Sequence, residues 1–144
     1  MIALALSVSV ISQTAVIPNI PGEIGTTVIV PVTVADWQDI VCFTLNIGFD
    51  PSKIDFMSSE LWHPEMLINV TGGRIAIVWV TEVDSITHPY DIDGVLAHLY
   101  FNVRGESSLK FGRCEVIQDP YTPVDVTYTN GLIYQTKKKA TKLR

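Results

Sequence analysis

Residues 41–49 alternate strictly between two kinds of side chain, and this pattern constrains the fold more than any other. One set is large and apolar: Phe43, Leu45, Ile47 and Phe49. The other set is small or polar: Cys42, Thr44, Asn46 and Gly48. Successive side chains of a β-strand point to opposite faces, so this segment is predicted to be a half-buried strand. The apolar set must face a core, which leaves the second set outward.

Similar runs of β-branched and aromatic residues, bounded by Gly, Pro, Asn or Asp, recur along the chain, whereas helical periodicity is almost absent. The nine predicted strands span residues 4–12, 27–35, 41–49, 53–57, 67–71, 74–81, 95–103, 108–117 and 126–134. Strands at this spacing without helices indicate a sandwich. With 144 residues, 47% of them hydrophobic, the chain has the length and composition of one folded domain. We predict that the domain spans residues 1–135 and that residues 136–144 form a basic tail or linker.

The net charge of −5 conceals an uneven distribution. Five of the ten basic residues lie in the last eight positions, so residues 1–136 carry 15 acidic and five basic residues. An acidic body argues against nucleic-acid binding, which needs a basic surface. No apolar run approaches the ~20 residues of a membrane helix, so membrane insertion is not expected. The alternation in residues 4–11 favours a strand over a signal peptide. We expect the signal peptide to have preceded this strand and to have been removed.

Catalytic and metal-binding motifs are missing from the sequence. There is no Gly-x-Ser-x-Gly motif, and the three histidines are too scattered for zinc. Pairs of acidic residues, Glu82 with Asp84 and Asp91 with Asp93, follow strands or stand in loops, where acidic residues commonly form turns. We therefore predict no enzyme activity and no catalytic residue.

Asp91-Ile92-Asp93-Gly94 resembles a fragment of a calcium loop. A complete EF-hand loop needs further oxygen ligands and a late bidentate Glu, and neither follows. A turn is the preferred interpretation, with Asp91 and Asp93 as a weak metal alternative; no cofactor is expected in this chain.

Two tryptophans allow opposite interpretations. Trp79 lies in the apolar segment 74–81, and Trp62 lies in or near a loop. An exposed tryptophan on a sandwich can stack on a sugar ring, as in carbohydrate-binding modules, whereas a buried one packs in the core. From the residues alone, both interpretations of Trp79 stay open.

Several stretches, in this order, resemble a cohesin domain, the receptor of the cohesin–dockerin pair. They are Pro21-Gly-Glu-Ile-Gly-Thr-Thr-Val-Ile-Val-Pro-Val32, Cys42-Phe-Thr-Leu-Asn-Ile-Gly-Phe-Asp-Pro51, Arg74-Ile-Ala-Ile-Val-Trp-Val80, Asp93-Gly-Val-Leu-Ala97 and Asn130-Gly-Leu-Ile133. They are similar to the family's Pro-Gly-rich entry, its strand ending in Tyr-Asp-Pro, its apolar strand before an acidic corner, its "DGV-A" and its terminal "GGxV". The sequence departs from the family in a two-residue insertion near Gly22 and in the lack of a long Asn/Asp-rich loop near strand eight.

The resemblance implies a nine-stranded jelly-roll β-sandwich, cohesin-like, with sheets ordered 8-3-6-5 and 9-1-2-7-4 in the numbering of the predicted strands. It also implies a non-catalytic module of a secreted or surface-attached scaffold protein, such as a cellulosomal scaffoldin. The implied partner is a dockerin-bearing protein, bound on the outer face of sheet 8-3-6-5. Calcium is expected in the dockerin and not in this chain.

Carried over strand by strand, the resemblance predicts a partner-binding face. Its members are Cys42, Thr44, Asn46, Ile68, Val70, Ile77, Trp79, Thr81, Glu82 and Tyr121. In this interpretation Ile75, Ile77 and Trp79 point outward, with Trp79 as the central anchor. Lys110 and Gly112 of strand eight lie beside them.

Several alternatives stay open at this stage. Cys42 and Cys114 could form a disulfide if strands three and eight are neighbours, or remain two free thiols. A weak homodimer through the same face is an alternative assembly. The competing functions are a carbohydrate-binding module that uses Trp62 or Trp79, and a structural sandwich of an adhesin or other cell-surface protein.

Overall fold

The computed structural model describes residues 12–80 and 90–136. Its twelve strands are β1 (Gln13–Val16), β2 (Asn19–Pro21), β3 (Thr27–Gly48), β4 (Ile54–Leu61), β5 (Leu67–Thr71), β6 (Arg74–Val80), β7 (Tyr90–Val103), β8 (Ser107–Phe111), β9 (Glu115–Gln118), β10 (Thr122–Pro123), β11 (Val126–Thr129) and β12 (Gly131–Tyr134). No helix that is long and apolar enough to cross a bilayer occurs in the described part of the chain. The predicted all-β class is confirmed.

Strand β3 is long because it serves both sheets of the sandwich. Its register with β7 shifts between Val34 and Trp37 and again between Trp37 and Ile40. Asp36 and Asp39, at this bend, have φ values of 60° and 53°. Such left-handed positions are tolerated better by Asp than by most residues. The bend joins predicted strands two and three into one strand.

Two sheets face each other across the core. We call the sheet ordered β5-β6-β3-β9-β10 the front sheet; it uses the second half of β3. The back sheet is ordered β4-β7-β3-β1-β11 and uses the first half of β3. With β9 taken as part of predicted strand eight, the front sheet agrees with the predicted order 8-3-6-5. The back sheet agrees with the predicted neighbours 2-7-4. The place expected for predicted strand one (residues 4–12) is taken by β1, and predicted strand one itself lies outside the described residues except for residue 12. Strand β8 pairs with β12 and with the end of β3, and β12 pairs with β2, so all the strands connect.

The core lies between the sheets and contains the large apolar residues of both. Val30, Val32 and Val34 of the back sheet and Phe43, Leu45 and Ile47 of the front sheet are all buried. Trp37, at the bend of β3, is also buried, and its indole N–H donates a hydrogen bond of 3.0 Å to the Thr14 carbonyl. The bend is therefore attached to β1 by a partly buried hydrogen bond.

Three features differ from the sequence-based expectation. The described residues form twelve strands, whereas nine were predicted for the chain. Predicted strands two and three merge, strands eight and nine are each interrupted, and the short strands β1, β2 and β10 were not predicted. Strand β7 begins at Tyr90, so Asp91 to Gly94 belong to a strand and not to a turn. Most of predicted strand one, as well as the tail after residue 136, lies outside the described residues.

Candidate functional site

The second half of β3 has the orientation that its sequence predicts. Phe43, Leu45 and Ile47 are buried, and the residues between them are half-buried and face away from the core. The predicted outward orientation of Cys42, Thr44 and Asn46 is thereby confirmed. Their contact with a partner stays a prediction.

The strand registers arrange the outward residues in rows across the front sheet. The rows are Ile117-Cys42-Val80, Glu115-Thr44-Val78-Leu67, Asn46-Ala76-Asn69 and Lys110-Gly48-Arg74-Thr71. We call these residues the outer face. At strand and residue spacings of about 4.8 Å and 3.3 Å, the rows cover roughly 20 Å by 14 Å.

The predicted orientation of β6 is wrong. Ile75 and Ile77 are fully buried, and Trp79 is only 1% exposed. The register pairs Ile77 with buried Leu45, and Trp79 with buried Phe43, so these side chains point into the core. A strand that is apolar on both faces gives no alternation signal, and choosing the wrong set turns every side chain to the other face.

The predicted orientation of β5 is wrong for the same reason. Ile68 pairs with Ile77, and Val70 pairs with Ile75, so both pack against the core as half-buried residues. The outward positions of this edge strand are instead Leu67, Asn69 and Thr71, which are all exposed.

Trp79 is the centre of an aromatic cluster inside the sandwich. Its ring centroid lies 5.9 Å from Phe43 and Trp62, 5.8 Å from His63 and 5.2 Å from Tyr90. Its Nε1 atom is buried and finds no hydrogen-bond partner within residues 12–80 and 90–136. The contacts identify Trp79 as a packing residue, which selects the core interpretation of the two that the sequence left open.

A different set of apolar residues occupies the outer face. Val80 is 59% exposed and Leu67 is 71% exposed. Val78, which is half-buried, lies between Leu67 and Thr44 in one row of the outer face. The sequence contains the signal for this set. Arg74 begins β6, and a charged residue must face water, so the residues at even positions of β6 point outward. Asn69 gives the same information for β5.

The opposite end of the outer face is basic and hollow. Arg74, Lys110 and Arg113 line a cavity of about 550 Å³ together with Gly48 and Gly112. Asn46 holds the adjoining loop: its Nδ2 donates a 2.6 Å hydrogen bond to the Arg113 carbonyl, and its carbonyl accepts one of 2.7 Å from the Gly112 N–H. The predicted partner-binding residue Asn46 therefore uses one amide N–H inside the domain.

Of the remaining predicted residues, Tyr121 is described and two are not. Tyr121 is 71% exposed and lies between β9 and β10, with a φ of 56°. The nearby Asp119 N–H donates to the Asp39 carbonyl, which places this hairpin at the Cys42 end of the outer face. Thr81 and Glu82 lie outside the described residues.

The two cysteines are free thiols on opposite sides of the front sheet. Cys42 pairs with Ile117 and faces outward, whereas Cys114 precedes outward-facing Glu115 and packs against the core. The Asn46 N–H donates to Cys114 Sγ at 3.4 Å. Burial raises the pKa of both thiols; nearby Glu115 adds to the increase at Cys42. The disulfide that the sequence left open is not formed.

The weak metal alternative receives no support from the geometry. Asp91 Oδ1 accepts a hydrogen bond of 3.0 Å from the Asp39 N–H and thereby joins β7 to the bend of β3. Within the described residues, no group of three or more His, Cys, Asp or Glu side chains could hold a metal ion. Asp91 and Asp93 act as exposed strand residues.

Comparison with known proteins gives a result for structure alone. No protein-family model and no curated protein sequence matches this chain. Among solved structures, the sixth cohesin of scaffoldin B from Acetivibrio cellulolyticus, in complex with a Cel5 dockerin, has a TM-score of 0.78 and 20% identity over 87% of this chain and 99% of that one. The cohesin CaCohA2 from Clostridium acetobutylicum has a TM-score of 0.74 and 23% identity over 87% of this chain and 91% of that one. A non-cellulosomal cohesin from Archaeoglobus fulgidus has a TM-score of 0.74 and 16% identity over 89% of this chain and 94% of that one. These likenesses establish the fold.

Proposed function

We propose that this chain, which has the fold of cohesin domains, is a non-catalytic module that binds a dockerin-bearing protein on its outer face. The likeness to a cohesin that was solved in complex with a dockerin carries the proposal. The module would tether its partner to a secreted or surface-attached scaffold. Calcium would be bound by the dockerin, not by this chain.

The shape and composition of the outer face support this function. An area of roughly 20 Å by 14 Å accommodates a helix, whose diameter with side chains is about 10–12 Å. Leu67, Val78 and Val80 form an exposed apolar strip across it, beside the polar row members Thr44 and Glu115. Exposed apolar patches with polar surroundings commonly mark protein interfaces.

The test is a calorimetric titration with calcium-loaded dockerins encoded by the same genome. We expect at least one to bind, and we expect binding to be lost when a chelator removes calcium. Sedimentation of the free protein distinguishes dockerin binding from self-association through the same face. If no dockerin binds with calcium present, the proposed function is wrong.

A matched pair of variants tests the face. Leu67 and Met57 are exposed apolar residues on the edge strands of the front and back sheets. We expect Leu67→Asp to weaken dockerin binding by about ten-fold or more, since a charge would be desolvated in the interface. Met57→Asp should leave affinity unchanged. If the two substitutions change dockerin affinity equally, the outer face is not the binding surface.

A carbohydrate-binding function is the second candidate, and its supporting observation is a pair of partly exposed aromatic residues. Trp62 and Tyr90 lie 5.8 Å apart at one end of the sandwich, with their planes at 86°. One of them could stack on a sugar ring; buried Trp79 could not. Retention on an insoluble polysaccharide that is abolished by Trp62→Ala would favour this function over dockerin binding.

A further inference from the structure

The distribution of positive charge on the folded domain is unusual. Residues 1–136 contain five basic residues: Lys53, Arg74, Arg104, Lys110 and Arg113. Three of these five line one hollow in the outer face, in a body that carries 15 acidic residues. Most of the few cations of residues 1–136 are therefore concentrated at one end of the surface to which the proposed partner docks.

The three cations meet because of strand pairing. Gly48 pairs with Lys110 on one side and with Arg74 on the other, so the two basic side chains flank a residue that has none. Arg113 lies in the loop that Asn46 holds against β3. The hollow is thus built from three chain segments, β3, β6 and the segment 110–113.

Glycines keep the hollow open. A Cβ atom at Gly48 would approach nothing closer than 3.8 Å, and one at Gly112 nothing closer than 3.7 Å. Neither glycine has a positive φ. Neither backbone strain nor tight packing therefore requires a glycine at these two positions, and the missing side chains leave space in the hollow.

The cations lack acidic partners within the part of the chain that the structure describes. Arg104 makes an ion pair there, at 3.0 Å from Asp55, while Arg74, Lys110 and Arg113 make none. The outer face carries one acidic residue, Glu115, in the row of Thr44. That row is four residues from Gly48 along β3, or roughly 13 Å. An anion that enters the hollow would meet three cations that make no ion pair with any described residue.

We propose that this hollow binds an acidic side chain of the docked protein partner, whose docking surface therefore carries an Asp or Glu next to its apolar contact residues. The inference rests on the proposed function. A protein carboxylate is favoured because the hollow is continuous with the apolar strip through Ala76 and Val78 of β6. A guanidinium binds a carboxylate with two parallel hydrogen bonds, which adds orientation to attraction. The acidic body disfavours extended polyanions such as nucleic acids.

The experiment compares variants of the hollow by calorimetry against every calcium-loaded dockerin that binds the unaltered protein. We expect Arg74→Ala and Lys110→Ala each to weaken binding by about ten-fold, the effect of losing one charged hydrogen bond. Lys53→Ala removes the same charge from an exposed site outside the hollow and should change affinity by less than about two-fold. Raising the salt concentration should weaken binding of the unaltered protein more than binding of Lys110→Ala.

Two further variants separate the site from general electrostatics. Gly48→Val fills the hollow and keeps all three cations, so it should weaken binding as much as the charge deletions do; its circular dichroism reports on folding. On the dockerin, each Asp or Glu outside the calcium loops is replaced by its amide. One of these replacements should weaken binding as much as Lys110→Ala does. Combining that dockerin replacement with Lys110→Ala should weaken binding no more than either change alone.

Each outcome supports or overturns the inference. If a dockerin binds but Arg74→Ala, Lys110→Ala and Gly48→Val have no effect, the inference fails and the proposed function stands. If no dockerin binds, both fail. If inorganic phosphate competes with dockerin binding, and no dockerin amide replacement is coupled to Lys110→Ala, the hollow would be assigned to a phosphorylated partner. That result would overturn the proposal.

Discussion

In residues 75–80 of β6 both sides of the strand are apolar, but only one side packs in the core. On the core side, Ile75, Ile77 and Trp79 are buried and hold the sheets together. On the outer side, Ala76, Val78 and Val80 lie half-buried or exposed between β3 and β5. The side chains on the core side are larger than their neighbours on the outer side. Apolar character alone therefore does not distinguish a core residue from an outward-facing one, whereas side-chain size and strand register do.

The largest expected effect is on the core side. Trp79→Ala should lower the free energy of unfolding by about 3–5 kcal/mol, because it removes the centre of the aromatic cluster. Urea unfolding measures this loss. Trp62→Ala, at the partly exposed rim of the same cluster, should cost less. A stable Trp79→Ala protein with lost dockerin affinity would reverse the assignment of the two sides.

A smaller contrast separates two adjacent residues. Ile77 is fully buried and Val78 is half-buried on the opposite side. We expect Ile77→Ala to cost about 2–4 kcal/mol in stability, and Val78→Ala about 1 kcal/mol or less. Thermal unfolding of the two variants side by side gives the comparison. Equal losses would mean that β6 is buried on both sides.

The outer side should respond in affinity and not in stability. Val80→Asp is expected to weaken dockerin binding about ten-fold, or about 1.4 kcal/mol, with less than about 1 kcal/mol lost in stability. Ile29→Asp is the control, since Ile29 is an exposed β-branched residue in the back-sheet half of β3. Calorimetry and thermal unfolding are needed together. A binding defect from Ile29→Asp would move the interface to the back sheet.

The two cysteines allow the same comparison of core side and outer side in β3 and in the segment that precedes β9. Their rates of chemical modification should show the smallest of the expected effects. Burial raises the pKa of both thiols, so both stay protonated near neutral pH, and alkylation by iodoacetamide should accelerate only at a pH above the range in which ordinary thiols ionise. A bound dockerin should slow the modification of outward-facing Cys42 and leave Cys114 unchanged. Mass spectrometry of the alkylated peptides gives the two rates. Equal protection of both thiols would indicate general stabilisation in place of a covered surface.

The prediction from sequence was accurate for strands that carry two kinds of residue. Residues 41–49 separate large apolar from small or polar side chains, so the outward direction of Cys42, Thr44 and Asn46 was predicted correctly. The prediction was wrong for Ile68, Val70, Ile77 and Trp79, because β5 and β6 lack a clear alternation of polarity and the family pattern assigns the opposite face to them. Arg74, at the start of β6, and Asn69, in the middle of β5, carry the signal that corrects both strands, since charged and amide side chains favour the face that meets water.

The amino-acid sequence predicted correctly the all-β class, the strand neighbours 8-3-6-5 and 2-7-4, and the orientation of the second half of β3. These follow from local periodicity, together with a resemblance that spans most of the chain. Only the tertiary structure decided which side of β5 and β6 faces water, and that Arg74, Lys110 and Arg113 meet around Gly48. The physical reason is that alternation reports an orientation only where the two faces differ in polarity. The meeting of side chains from distant segments depends on strand register, which no local pattern contains.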